Sequence, residues 1–236
     1  MVLPFVARIA DNLSEIRRRI AAAAGRSGRP PEAVKLVAAI KYVGVSVIRD
    51  LVAAGCHDLG ESRPQELWAK AAELSDPSIS WHLIGHLQRN KIDRTLPLVS
   101  LIHSADSLRL IKSIDQAAAV LDRVVPTLLE VNISGDRNKH GFTPDEMESR
   151  LVDIVEFDRV QVRGLMAMAG REGDLDSARR NFARMRELRD QLRRDLPDGM
   201  SLDELSMGMS GDFEAAIEEG ATIVRIGSAL FEGVGE

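Results

Sequence analysis

Lys41 has the most chemistry to offer. The chain has six lysines, at 35, 41, 70, 91, 112 and 139, and this one closes the run Lys35-Leu-Val-Ala-Ala-Ile-Lys41. An amine ending an apolar strand is expected to be partly desolvated, which disfavours the ammonium and frees the amine to attack a carbonyl and form a Schiff base. A rim lysine reaching water is the plain alternative. A second signal is Ser206-Met-Gly-Met-Ser-Gly-Asp-Phe-Glu-Ala-Ala, where Ser210 and Gly211 are expected to open a helix. It pairs with Arg225-Ile-Gly-Ser228, which carries Gly227 and Ser228. Unpaired amides and glycines that allow close approach suit an anion such as phosphate, whereas an N-cap serine and a turn glycine would serve structure alone. Arg225 sits inside Ile223-Val-Arg-Ile226 and cannot shed its proton, so it needs a buried acid, a ring nitrogen or an anionic ligand. His82, in Trp81-His-Leu-Ile-Gly85, reads as a satisfied rim or core histidine or as part of a ligand pocket.

Other constellations are poorer. His103 and His140 have no partner at metal-ligand spacing and Cys56 is the single cysteine, so no metal site is expected. Nucleophile-elbow, Walker and dinucleotide motifs are absent, leaving hydrolase, nucleotidase and dehydrogenase readings without support. The arginines between Arg179 and Arg194 are interleaved with Glu187 and Asp190, as on a solvated face.

The elements that must position these residues follow from periodicity. Val6, Ile9, Leu13, Ile16 and Ile20 recur at helical spacing in a segment from Phe5 to Ala24, which stops at Gly25. Short apolar runs read as strands at Lys35–Lys41, Cys56–Leu59, Ser80–Ile84, Val99–His103, Thr127–Ile133, Val160–Met168, Leu202–Ser206 and Thr222–Ile226. Helical stretches separate them, among them Val47–Ala54, one capped by Ser62 and reaching Leu74, and Asp174–Leu196. Thr143-Pro144-Asp145-Glu146 has the pattern of a capping box opening a helix to Phe157. Strict alternation of eight strands with helices predicts an α/β fold, a single (β/α)8 barrel with an extra N-terminal helix. An open doubly wound sheet is the alternative. In such a barrel the residues just past the strands line the active face, and the loops after strands seven and eight hold phosphate.

The 236 residues are 44% hydrophobic, enough for a full-sized core, and no linker or composition shift divides 1–236 into more than one domain. The net charge of −5 with no basic block argues against nucleic acid. The start lacks a signal-peptide pattern, no apolar run approaches the ~18 residues of a membrane span, and a lone cysteine fits a reducing compartment. A cytoplasmic protein with no membrane partner is expected, with monomer as the default.

Seven stretches in order carry a resemblance. They are Val37-Ala-Ala-Ile-Lys41, Gly60-Glu61 with Gln65-Glu66, Trp81-His-Leu-Ile-Gly-His-Leu-Gln-Arg-Asn-Lys91, and Val131-Asn132 with Lys139 and Gly141. The others are Arg163-Gly-Leu-Met166, Leu205-Ser-Met-Gly-Met-Ser210 and Val224-Arg-Ile-Gly-Ser-Ala-Leu-Phe231. Nearly end to end, the chain resembles the pyridoxal phosphate homeostasis proteins, single-barrel relatives of alanine racemase with the fold-type-III barrel. The resemblance implies that Lys41 carries pyridoxal 5′-phosphate (PLP) as an internal aldimine and that Ser210, Gly227 and Ser228 hold its phosphate. It further implies that Arg225 faces the pyridine nitrogen, with His82 and Ser206 near the cofactor. Ser62 stands where this family usually has asparagine, so that contact does not carry over.

An arginine beside the ring nitrogen weakens the ring as an electron sink, and the only tyrosine, Tyr42, adjoins Lys41, badly placed as a second base. The implied role is storage, buffering or delivery of PLP, with apo PLP-dependent enzymes as partners and no efficient turnover. The competing readings are a fold-type-III amino-acid racemase and an aldolase-like Schiff-base barrel acting on a phosphorylated sugar. Lys139 is a further candidate for holding cofactor during entry or exit, against the plainer reading of a solvated loop lysine.

Overall fold

The computed structural model describes residues 5–136, 139–170 and 174–234. Eight parallel strands, β1 (Lys35–Ala39), β2 (Asp58–Glu61), β3 (Ser80–Leu83), β4 (Val99–Ala105), β5 (Val125–Glu130), β6 (Val160–Met166), β7 (Glu204–Ser206) and β8 (Ile223–Ile226), close into a barrel in sequence order. The seam is β8 on β1, with Val37 opposite Arg225 and Ala38 opposite Ile226. The expected closed barrel is therefore the observed one, and the open sheet is excluded.

Helices α2 (Val45–Ala53), α3 (Pro64–Leu74), α4 (Ile92–Thr95), α5 (Leu108–Val120), α6 (Met147–Ile154), α7 (Leu175–Leu192) and α8 (Phe213–Glu218) follow β1 to β7 in turn. The N-terminal helix α1 (Phe5–Arg26) packs against α8 and α2, filling the outer-ring position beside the β8–β1 seam. Its predicted stripe is the buried one: Ile9, Leu13, Ile16 and Ile20 are all inaccessible. The side chain of Val6 lies outside the described residues.

Local caps depart from expectation. Thr143 makes no side-chain cap; Pro144–Glu146 is a 3-10 turn and α6 begins only at Met147, because the Glu146 amide bonds the Thr143 carbonyl instead. Ser62 does not cap α3: the flanking residue is Arg63, while the Ser62 amide donates to Glu61 Oε1. Ser210 and Gly211 do not open α8, which starts at Phe213 after Asp212. Side-chain caps form instead at Ser107 of α5, whose hydroxyl accepts from the Leu110 amide at 3.4 Å, and at Asp174 of α7, whose carboxylate accepts from the Ser177 amide at 2.9 Å.

Most of the core lies between strands and helices. Inside the barrel sits a smaller apolar cluster of Val37, Leu101, Leu128, Met166 and Ile223. Strand β6 approaches β7 so closely at Gly164 that a methyl group there would lie 1.9 Å from the Glu204 carbonyl. Among the described residues no helix is long and apolar enough to cross a membrane.

Candidate functional site at the barrel mouth

The loops after β1, β7 and β8 enclose a cavity of about 810 Å³, whose walls include Lys41, Tyr42, Ser210, Arg225, Gly227 and Ser228. Five of the seven predicted site residues thus share one cavity. The other two, His82 and Ser206, are buried within the barrel and act on it through hydrogen bonds.

Lys41 lies two residues beyond β1 and is exposed. The expected desolvation is absent because the strand ends at Ala39 and the chain opens into a turn; the amine rests over the Tyr42 ring, 4.9 Å from its centroid. What holds its backbone is a buried ion pair. Lys70, on α3, donates to Glu61 Oε2 at 2.6 Å and to the Ile40 carbonyl at 2.8 Å. Glu61 Oε1 accepts from the Ser62 and Arg63 amides at 2.7 and 3.3 Å, and Arg63 Nη2 donates to the Lys41 carbonyl at 3.2 Å. Both carbonyls flanking the Lys41 amide bond are thereby tied to the β2–α3 connection.

An anion cradle stands on the β8 side. The amides of Gly227 and Ala229 both point at Ser210 Oγ, each at 3.3 Å. A methyl group at Gly227 would sit 2.9 Å from the Ala39 carbonyl, so only glycine lets β8 continue along β1 undisturbed here. The amides belong to this loop rather than to the start of a helix, which corrects the expected origin of the site.

Arg225 is fully desolvated, and burial pushes its guanidinium down to about 10 despite the fields of Glu130 and Asp212. It donates to the Ser206 carbonyl at 2.7 Å, to Ser206 Oγ at 2.6 Å and to the Ala167 carbonyl at 2.9 Å. Among the described residues no carboxylate reaches ion-pair distance, so the bland partner of the sequence reading, a buried acid, is not in contact with it.

Behind Ser206 runs a chain of buried side chains. Ser206 Oγ lies 2.8 Å from His103 Nδ1, His103 Nε2 lies 3.0 Å from His82 Nδ1, and His82 Nε2 lies 3.1 Å from Asp58 Oδ1. The two ends are fixed: the guanidinium can only donate, so Ser206 Oγ accepts from it, and the Asp58 carboxylate accepts from His82 Nε2. Burial first, then the fields of His82, Arg225 and Lys35, hold His103 well below its ordinary value, so it is neutral. Burial raises the Asp58 carboxyl, but His82 and Lys35 outweigh it and lower it overall. On β5, Glu130 is pushed up to about 7 by burial and by the Asp106 charge.

Asp58, Lys70, His103 and Glu130 were missed as site residues. For His103 a signal existed: it stands two residues from Leu101 along β4 and so shares the face that points into the barrel. Lys139, by contrast, donates to Ser134 Oγ and to the Met168 and Ala169 carbonyls, across the mouth from the cradle.

Fold and site together define a class: a parallel β/α barrel whose C-terminal mouth offers one small ligand a lysine amine, a backbone anion cradle and a buried guanidinium. Within that class, the chain belongs to the pyridoxal phosphate homeostasis protein family. Residues 9–234 match the family described as alanine racemase, N-terminal domain. A pyridoxal phosphate homeostasis protein of Aquifex aeolicus is 41% identical over 221 residues, covering 94% of this chain and 96% of that one. The structure of PipY from Synechococcus elongatus with PLP bound is 37% identical with a TM-score of 0.84, covering 94% of this chain and 99% of that one. An alanine racemase of Clostridium difficile, 17% identical, shares the fold with a TM-score of 0.71, the match covering 94% of this chain and 56% of that one.

Proposed function

We propose that the protein binds pyridoxal 5′-phosphate at the barrel mouth and serves its homeostasis by storing, buffering or delivering it, without efficient turnover of an amino acid. The observation that carries this reading is the convergence of Lys41, the Ser210, Gly227 and Ser228 loop pair, and Arg225 on one cavity. PLP supplies an aldehyde that a lysine amine captures reversibly. Lys41 is that amine. The Gly227 and Ala229 amides with the Ser210 and Ser228 hydroxyls receive the phosphate, and Arg225 donates to the ring nitrogen. His82 and Ser206 hold Arg225 in place rather than touching the cofactor. The fit rests on a buried guanidinium without a contacting carboxylate and on a glycine whose missing side chain keeps the cradle open. The whole of 1–236 acts as one cofactor-binding domain, a cytoplasmic monomer that hands PLP to apo PLP-dependent enzymes.

Two features favour the carrier over a racemase. Arg225 cannot give up its proton to the ring nitrogen, which keeps the bound ring a weak electron sink. Tyr42, 83% exposed, lies against the Lys41 amine and so on the same side as it. The test is the visible spectrum of purified protein before and after borohydride, with mass mapping of the modified peptide. Reduced cofactor on Lys41 supports the reading, and a protein that refuses added PLP overturns it. Lys41-dependent washout of α-deuterium from an amino acid would establish the racemase instead.

A further inference from the structure

A cluster of side chains across the mouth from the cradle takes no part in that function. His86 follows β3, Asp106 follows β4 and His140 lies beyond β5, so three consecutive strands deliver one group each. One nitrogen of each imidazole and one carboxylate oxygen all lie within 4.8 Å of one another. No local spacing announces them, because 20 residues separate the first pair and 34 the second (106 − 86, 140 − 106).

We propose that His86, Asp106 and His140 form a binding site for one divalent transition-metal ion of the Zn²⁺ class. Two imidazoles and a carboxylate are the donor set such a borderline ion takes, with positions on the solvent side left for water. The carboxylate is almost inaccessible, with 7% of its side chain exposed, and Ser107 Oγ donates to its Oδ1 at 3.0 Å. That leaves Oδ2 to the imidazoles, 2.8 Å from His86 Nδ1 and 4.0 Å from His140 Nδ1. The two rings stack with centroids 4.6 Å apart and an angle of 19°, which presents both ring edges side by side. In a tetrahedral site with bonds near ~2.1 Å, ligand atoms stand roughly 3.4 Å apart. The present separations bracket that value, and both rings are exposed enough to swing the remaining ångström or so.

The backbone beneath is fixed. Ser104 Oγ donates to the Gly85 carbonyl at 2.7 Å, tying the His86 loop to β4. Gly85 lies so close to Ser62 that a methyl group would fall 2.3 Å from the Ser62 carbonyl. On the other side, Phe142 donates to the Glu130 carbonyl at 2.8 Å and accepts from the Asn132 amide at 2.9 Å, so His140 enters on a segment pinned to β5. Such support is what a metal site requires of its scaffold. The negative charge of Asp106 already weighs on Glu130, and a cation beside Asp106 relieves that repulsion. Coordination through His86 Nδ1 replaces the hydrogen bond between this nitrogen and Asp106 Oδ2, with the ring proton on Nε2.

The test titrates the chelator-treated full chain, before any PLP is added, with Zn²⁺ by calorimetry and with Co²⁺ by visible absorption. One equivalent is expected, with ligand-field bands of a nitrogen and oxygen site. Loss of a ligand exceeds the 10–100-fold cost of disturbing an outer partner, so His140→Gln and Asp106→Asn should each weaken binding by roughly a hundredfold or more. His57→Gln, a change to an exposed histidine just ahead of β2 on the opposite rim, should bind as wild type does. His140 is exposed, so its variant folds even if Asp106→Asn disturbs α5. Absence of a saturable equivalent, or wild-type affinity in His140→Gln, overturns the proposal.

Discussion

Replacing Lys70 with methionine tests whether a buried ion pair, rather than the strand itself, holds Lys41 in place. Glu61 is completely inaccessible and the Lys70 side chain is 9% exposed, with 2.6 Å between charged atoms. Methionine preserves most of the stem but leaves a buried carboxylate with two amide donors and no cation. Breaking such a pair costs ~3–5 kcal/mol. For a chain of this length that is a fall in Tm of roughly 6–20 °C. The Ile40 carbonyl also loses a charged donor, a bond worth ~1.5–3 kcal/mol. If half of that ordering is felt by a ligand held on Lys41, PLP affinity falls roughly three- to tenfold. Urea unfolding followed by circular dichroism reads the first effect, and titration with PLP followed by absorbance reads the second. The double variant Glu61→Gln/Lys70→Met removes the orphaned charge and should recover ~2 kcal/mol relative to the sum of the single changes. A Lys70→Met protein within ~0.5 kcal/mol of wild type, or a double variant no better than additive, would refute the reasoning.

Three further outcomes are expected. His103 is neutral in the folded barrel, whereas an unfolded chain protonates its histidines below about 6.5. The unfolded state therefore binds more protons on acidification, so stability falls as pH drops through that value, and His103→Gln flattens the slope in unfolding measured from pH 7.5 to 5. Gly227→Ala drives a methyl group to within 2.9 Å of the Ala39 carbonyl, costing ~1–3 kcal/mol and widening the cradle, so phosphate-dependent PLP affinity falls more than affinity for unphosphorylated pyridoxal. Burial raises the Cys56 thiol to about 11, so alkylation at pH 8 should be negligible in the native protein and complete in urea; rapid native labelling would contradict that burial.

Much of the fold was legible because its signals are local. Apolar runs such as Lys35–Ala39 and Val160–Met166 alternate with amphipathic helices, and a buried parallel strand and an amphipathic helix each write their period into the sequence. That Lys41, Ser210, Gly227 and Ser228 meet at one cavity was legible for a related reason: a barrel gathers whatever lies past its strands, and Arg225 joins them from within β8 itself. Where reading failed, either a local backbone geometry or a long-range contact had decided the outcome. The Thr143 capping box lost to a backbone turn, and the desolvation expected of Lys41 did not occur because the strand stops short. Pairings such as Glu61 with Lys70, His82 with His103, and His86 with Asp106 and His140 join groups on different strands or across a strand-to-helix connection. Nothing in either partner's neighbourhood announces them.

The polar chain inside the barrel bears on why this site suits holding a cofactor. A desolvated guanidinium held by two carbonyls and a hydroxyl is costly unless its charge is answered. The carboxylates that act on it are Glu130 and Asp212, neither in contact, and the chain of side chains behind it ends on Asp58. The ends of the chain are a guanidinium that only donates and a carboxylate that only accepts, so the cation stands at the cavity and the anion behind it. Such an arrangement fixes Arg225 as a permanent donor. A ligand atom in front of it must accept a hydrogen bond without receiving the proton. A pyridine nitrogen so held is bound firmly and left electronically unassisted, which is what storage requires and catalysis at the ring does not.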